Sequence, residues 1–446
     1  PEREALKCLD SAYSRYEPNE APFNNGSKPN KDPVAILIDY AKSNYELFCD
    51  PQNQAYATVV VDKHKETYAV DSAAFQGLLQ SWYYRKTKRG LNKTVLDSVL
   101  STISAIARYD GEKKDVHLRV AQIEDIIYID ICNDAWECIQ VTPEGWDILY
   151  EPPVVFLRSD TMLPLPSPIK DGNSELLLKH INIDKDQLPL VIGWLLMCLQ
   201  KGNGTYPPLV LNGSAGSGKS TASRMLRKLV DPNKADLLTL SKIDDLRVIA
   251  TGNHLFAFDN LSSISPAISD ALCKIASGDN QTFRELYTTN SAYTVSSKSP
   301  ILLNGIPELV RQDDLASRSL KLRLNQITSR KTESEAWKLF DIDAPSIFGA
   351  MLDGIVCALK HHESVDVEDI SRMADFCKWS TAAGLAYGWS SNRFMAAYRK
   401  NTESSYMDAL DSSTFGSAVY RMFESEKSFE GRPLDLLNHL EASTFA

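Results

Sequence analysis

The chain has 446 residues, 43% hydrophobic and 24% charged, a balance that fits a folded globular protein and excludes a mainly disordered or fibrous one. At roughly 100 to 200 residues per domain, this length predicts two to four domains. A formal net charge of -10 excludes a broadly basic, nucleic-acid-coating surface, so any such contact must be local.

Residues 1–33 carry Pro18, Pro22, Pro29 and Pro33 among Asn, Gly and Lys, and are expected to be a mobile segment. The chain opens on Pro1 rather than Met, which leaves room for an upstream domain. Residues 34–160 read as an α+β accessory region. A helical pattern starts at 34, strands are expected at 55–61 and 67–70, and helices at about 72–86 and 93–108. A β meander follows over 116–157, with β-branched or aromatic runs at 126–131 and 136–141. Within this region Trp82-Tyr83-Tyr84-Arg85-Lys86, with Lys88, Arg89 and Lys93, interleaves aromatics and cations. Such a cluster can hold a nucleic-acid strand, or can be helix core beside a solvated charged face; the second reading is preferred.

Prolines 164, 166 and 168, then Asp171-Gly172-Asn173-Ser174, mark a linker at 161–174. Residues 175–333 alternate helical segments with apolar strands at 209–211, 255–258, 301–303 and 320–324, which predicts a helix-covered α/β sheet. Residues 334–446 turn helical, with Ile347, Met351, Ile355 and Leu359 at intervals of four. The longest apolar run, the twelve residues 188–199, is too short to span a bilayer, and no membrane association is expected. Eight cysteines form no CxxC pair and predict reduced thiols in a cytoplasmic protein.

The chemistry concentrates in the central region. Gly213-Ser214-Ala215-Gly216-Ser217-Gly218-Lys219-Ser220 fits GxxxxGK[ST] without mismatch, between an apolar strand and a helical pattern that runs to Asp231-Pro232. Glycines let backbone N–H groups turn inward on phosphate oxygens, and the helix N-terminus favours negative charge. The stretch through Thr221 is therefore expected to bind ATP, with Lys219 neutralising phosphate charge and Ser220 ligating Mg2+. A chance glycine loop is the alternative, and the strand and helix around the motif weigh against it.

Such a loop needs a magnesium-orienting acid at the end of a neighbouring strand, and Asp259 follows the apolar run 255–258. Asn260 comes next, where a carboxylate would serve as general base; an amide orients water but takes no proton at neutral pH. Asn304 ends the run 301–303 and is suited to sense the γ-phosphate or position water, although Asn304-Gly305 could also be a plain turn. Arg318 closes Asp313-Asp314-Leu315-Ala316-Ser317 and is placed to stabilise phosphoryl-transfer charge across a subunit boundary; the alternative is a surface arginine paired with Asp313 or Asp314.

GSAGSGKS, LFAFDN, TFRELYT, ILLNGIPEL and DLASRSLKLRL, in that order over roughly residues 205–325, resemble superfamily 3 helicases of the AAA+ class. The likeness is strongest to the ATPase modules of phage, plasmid and poxvirus primase-helicases. The run IYIDICNDAWECIQVTPEGW extends the resemblance to about residues 115–400. Asn260 departs from the acidic pair of many members, which puts the water-activating group in question.

The resemblance implies an α/β P-loop AAA+ core at 175–333, an N-terminal α+β collar or DNA-binding region at 34–160 and a C-terminal helical region at 334–446. It implies a ring, a hexamer, that hydrolyses Mg-ATP and moves 3′ to 5′ on DNA as the replicative helicase of a mobile element in a bacterial host, with a primase domain or protein as a possible partner. It further implies a pore-lining hairpin at 282–299, with Arg284, Tyr287, Tyr293 and Lys298 as candidate DNA contacts. Two rivals remain: a regulatory or defence ATPase that uses nucleotide only for assembly, and a small-molecule P-loop kinase, disfavoured by the motifs after Asp259.

Overall fold

The structure, a computed structural model, describes residues 32–444 apart from 62–63, 203, 241, 279–280, 285–291, 296–297, 306–308, 311, 329–330, 368–371, 413 and 426–427. The expected mobile segment therefore falls almost wholly outside the described residues. The chain divides into two compact units. The first takes in the described residues up to Ala121 with Tyr128–Gln140 and Ile148–Asp160; the second takes in Gln122–Ile127, Val141–Asp147 and the chain from Thr161 onward.

In the first unit Asp32 caps helix Pro33–Asn44, with Pro33 in the first turn where its missing N–H costs nothing. Strands β1 (Tyr45–Cys49), β2 (Ala55–Val61) and β3 (His64–Ala69) form an antiparallel sheet in that order. Helices Ala73–Thr87 and Lys93–Tyr109 pack against it through Phe75, Leu79, Tyr83, Val99, Ile103 and Ala107. Short strands β4 (Val116–His117) and β9 (Val155–Phe156) pair in parallel, and β5 (Val120–Ile123), β6 (Ile126–Asp130), β7 (Cys138–Thr142) and β8 (Gly145–Leu149), whose residues are divided between the two units, form a second sheet in chain order. The expected strand at 136–141 starts two residues late because Trp136 holds φ 56, a left-handed turn conformation. Arg158 stacks on that tryptophan and grips Asp130 with two hydrogen bonds of 2.9 and 2.6 Å.

The second unit is built on strands β10 (Leu209–Asn212), β11 (Phe256–Leu261), β14 (Ile301–Gly305) and β15 (Leu320–Arg323), with β12 (Gln281–Arg284) and β13 (Ala292–Val295) as a separate antiparallel pair. The four-stranded sheet is entirely parallel, in the order β11-β14-β10-β15. Helix Lys219–Val230 buries Met225, Leu226, Leu229 and Val230 beside it. The apolar run near residue 190 is the wholly buried helix Leu188–Cys198. Helix Glu333–His361 is long and apolar enough to cross a membrane, but most of it is buried, with Phe340, Ile347, Phe348, Met351 and Ile355 in the core.

Two features of this unit lie outside the reach of sequence patterns. Residues 161–174, expected as a linker, are bonded along the unit: Leu163 N–H to the Pro232 carbonyl at 2.9 Å, Ile169 N–H to that of Pro345 at 3.3 Å, and Asn173 N–H to that of Ser346 at 3.2 Å. Gly349 permits this, since an added Cβ would lie 1.8 Å from the Ile169 carbonyl oxygen. At the sheet edge, the Asn401 carboxamide from helix Ser391–Ser412 pairs with the backbone of Lys321, accepting its N–H at 3.2 Å and donating to its carbonyl at 2.5 Å.

Candidate functional site

The loop 213–218 leaves the carboxyl end of β10 and runs into helix Lys219–Val230. Gly216 and Gly218 hold φ 79 and 84, where glycine alone pays no Cβ penalty. Ser217 is buried, and among the described residues its Oγ has no hydrogen-bond partner; the same holds for Asn212 Oδ1 at the start of the loop. A buried polar atom left unpaired costs about 1–3 kcal/mol, so these two suit a polar group that the chain does not itself supply. Lys219 folds back over the loop, its Nζ donating to the carbonyls of Gly213 at 2.8 Å and Ser214 at 3.1 Å.

Ser220 and Asp259 meet although 39 residues separate them: Ser220 Oγ donates to Asp259 Oδ1 at 2.9 Å. Asp259 comes from β11, with β14 lying between β11 and β10. The pairing of β11 with β14 shifts register between Phe258 and Leu261, and Asn260 holds φ 53 there. A bulge of this kind re-aims side chains, and asparagine tolerates the left-handed conformation it requires. The Asn260 N–H donates to Asn304 Oδ1 at 3.1 Å, and Asn304 Nδ2 donates to Ser223 Oγ at 2.8 Å. Asn304 is 1% exposed. Expected to sense phosphate or position water, it spends one donor and one acceptor tying together β14, the bulge and the helix, while the Asn260 side chain is exposed. Ser223 carries no motif signal; only its position one helical turn after Ser220 links it to the site.

Arg318 stands at the other end of the sheet. Helix Asp313–Arg318 leads into β15, whose Leu320 donates to the Pro208 carbonyl at 2.9 Å and pairs with Leu209 at the amino end of β10. The phosphate-type loop follows Asn212, which pairs with Arg323 at the carboxyl end. At ~3.3 Å per residue the two ends of such a strand are about 10 Å apart. Within one chain Arg318 is bonded instead to Asp314 Oδ1, through Nη2 at 3.1 Å, and Arg372 Nη1 reaches the same oxygen at 3.0 Å. Burial alone would raise the Asp314 pKa, but the Cys273 thiol and the Arg318 guanidinium hydrogen-bond to it and hold it below the ordinary carboxylate value, aided by the charges of Arg318 and Arg372.

The candidate DNA contacts fare differently from one another. Strands β12 and β13 do pair antiparallel between Asp259 and Asn304, with Arg284 opposite Ala292 and Tyr293 opposite Phe283. Tyr287 lies outside the described residues. Lys298 does not offer a free charge: its Nζ donates to the Gly202 carbonyl at 2.9 Å and lies 5.0 Å from the centre of the Tyr206 ring. Burial lowers its pKa, against the pull of Asp375. A cleft of about 340 Å³ beside it is lined by Gly202, Thr205, Lys298, Arg372 and Asp375. In the other basic cluster Tyr83 is buried and Trp82 stacks on Tyr40 at 3.7 Å, so those aromatics are core; Tyr84 and the cations Arg85, Lys86, Lys88, Arg89 and Lys93 are exposed. Among the described residues no group of three His, Cys, Asp or Glu side chains could hold a metal, and the described cysteines are all free thiols.

Residues 174–408, more than half of the chain and all of the site around the 213–218 loop, match the family model for the actinomycete integrative conjugative element replication protein. Two solved apo structures of the NrS-1 C-terminal region are similar to the chain. One has a TM-score of 0.43 and 12% identity, covering 72% of this chain and 69% of that one. The other has a TM-score of 0.42 and 12% identity, covering 93% and 86%. No curated protein matches.

Proposed function

The chain belongs to the actinomycete integrative conjugative element replication protein family, and from that premise we propose that it is a P-loop ATPase of the superfamily 3 AAA+ type, coupling Mg-ATP hydrolysis to movement on DNA during replication of the element in the host cytoplasm. The observation that carries the reading is the Ser220–Asp259 hydrogen bond beside the glycine loop. It joins the two residue types that share a magnesium ion in such sites. The position agrees with a general rule, that ligands of parallel α/β sheets bind beyond the carboxyl ends of the strands where strand order switches direction. Here the chain leaves β10 for β11, returns to β14, and then crosses to β15 on the far side of β10.

In this reading the loop N–H groups and Lys219 bind the phosphates, and Ser220 with Asp259 holds magnesium, which neutralises charge on the β- and γ-phosphate oxygens. The orphaned Ser217 Oγ can donate to a phosphate oxygen at this place, whereas Asn212 Oδ1 can only accept and suits a donor such as water. Asn260, held by Asn304, orients the attacking water through its exposed amide; no carboxylate adjoins Asp259 to take the proton. Arg318, at the end of the sheet opposite the loop, serves the nucleotide of a neighbouring copy, which favours a ring. The β12–β13 pair, through Arg284, is the part that touches DNA.

An unwinding assay on forked DNA tests the proposal. ATP-dependent strand separation that disappears in Lys219→Ala is the expected result. Hydrolysis with neither DNA stimulation nor unwinding would favour the nucleotide-driven assembly switch, and a folded protein that hydrolyses no ATP would overturn both.

A further inference from the structure

We propose a second nucleic-acid contact in the first unit, a nucleotide-independent surface for single-stranded DNA formed by Tyr84, Arg85, Lys86, Lys88, Arg89 and Lys93. The stretch from Arg85 to Lys93 holds five cations and no acid in a chain whose formal net charge is -10, and the next acid in sequence is Asp97. All five side chains are exposed.

Helix stability accounts for only part of this charge. Arg85 and Lys86 occupy the last turn of helix Ala73–Thr87, where cations complement the helix dipole. Arg89 has no such role. Lys93 sits in the first turn of helix Lys93–Tyr109; that turn contains no acid, and a cation there opposes the dipole. At Arg89 and Lys93 the fold thus carries positive charge that the helix dipoles do not use.

The aromatic at this surface separates single-stranded DNA from other anionic partners. Trp82 and Tyr83 are taken up by packing, but Tyr84 is 57% exposed, with Lys88 Nζ 5.9 Å from its ring centre. A flat, wet π-face among cations stacks on an unpaired base while the cations meet the flanking phosphates; the bases of a duplex are already stacked and unavailable. Lys88, at φ 57, ends the helix in a left-handed cap, and only Arg89 to Asn92 separate it from Lys93 at the start of the next helix.

The test uses the full chain and fluorescein-labelled oligothymidylate in the absence of nucleotide, so its outcome does not depend on whether the 213–220 loop binds ATP. The triple variant Lys88→Glu, Arg89→Glu, Lys93→Glu is expected to bind at least about tenfold more weakly. Its log–log salt slope should shrink by about 2, three phosphates at ~0.7 each. Tyr84→Ala is expected to lose about fivefold or more for the oligonucleotide and little for duplex of the same length. Lys219→Ala should bind as the wild type does. These substitutions lie on exposed side chains, and an unchanged melting temperature confirms that the fold is intact. Unaltered affinity and slope in the triple variant overturn the proposal. So does polyglutamate competing as well as the oligonucleotide, which would identify an acidic-peptide surface, or tighter binding to phosphatidylserine vesicles than to DNA.

Discussion

Ser220 Oγ and Asp259 Oδ1 stand 2.9 Å apart, a hydrogen bond that joins the helix after the glycine loop to a strand two places away in the sheet. Asp259→Asn keeps an acceptor for that hydroxyl and removes the charge. Its expected effect is a fall in ATP turnover of about a hundredfold or more with little change in melting temperature, because the lost term is charge neutralisation and not packing. Magnesium titration of phosphate release reads this directly. Wild-type turnover in Asp259→Asn would falsify the metal assignment.

Arg318→Ala should bind ATP normally and hydrolyse it about a thousandfold more slowly. Because Arg318 and the loop occupy opposite ends of one sheet, a mixture with Lys219→Ala should regain activity, the mixed assemblies containing interfaces with both groups intact. If the single variant keeps full turnover, the Arg318–Asp314 pair is a surface ion pair and nothing more.

Asn304→Leu leaves the Asn260 N–H and the Ser223 hydroxyl without their partner in a site that is 1% exposed. A loss of about 1–3 kcal/mol per unpaired group is expected, seen as a lower urea midpoint at unchanged slope. A midpoint equal to the wild type would show that these bonds are not formed in solution.

Asp353 supplies a pH-dependent term. Burial raises its pKa above the ordinary value, against the Trp146 Nε1–H bond at 2.8 Å and the charge of Lys170. The native carboxyl therefore keeps its proton to higher pH than the unfolded one. Stability from this group is greatest below the unfolded pKa, declines as pH rises to the folded value, and stays reduced above it. Asp353→Asn retains the acceptor for Trp146 without the charge, and should be at least as stable as the wild type at neutral pH, with a steeper acid limb because the opposing contribution of Asp353 is gone. A clear loss of stability at neutral pH would mean that the carboxylate charge is used.

What was legible in the sequence is what chemistry or solvent forces on residue type. Apolar runs ending in Asn212, Asp259 and Asn304 marked strands whose ends face one loop, because a parallel sheet covered by helices has no polar face to interrupt the run. Strand order was not legible, since it depends on contacts such as Leu211 to Asn304 across more than 90 residues. Lys298 was expected to offer charge to DNA by its place in a hairpin; its actual partner, the Gly202 carbonyl, is 96 residues away and carries no sequence signal. Prolines 164, 166 and 168 suggested a linker, but a glycine at position 349 of a distant helix lets the same stretch lie flat against it.

The Asn401 carboxamide has a consequence for assembly. Lys321 is the first residue of β15 whose backbone N–H and carbonyl face away from β10, and Asn401 occupies both. An open strand edge invites another chain to extend the sheet. Here one side chain from the C-terminal helices imitates a neighbouring strand and closes that invitation. In the proposed ring, copies of this protein would therefore join through side-chain surfaces and not by extending the sheet at Lys321. Such an interface can tilt and re-form as a ligand comes and goes, whereas a continuous ladder of backbone bonds would lock two subunits in a single register.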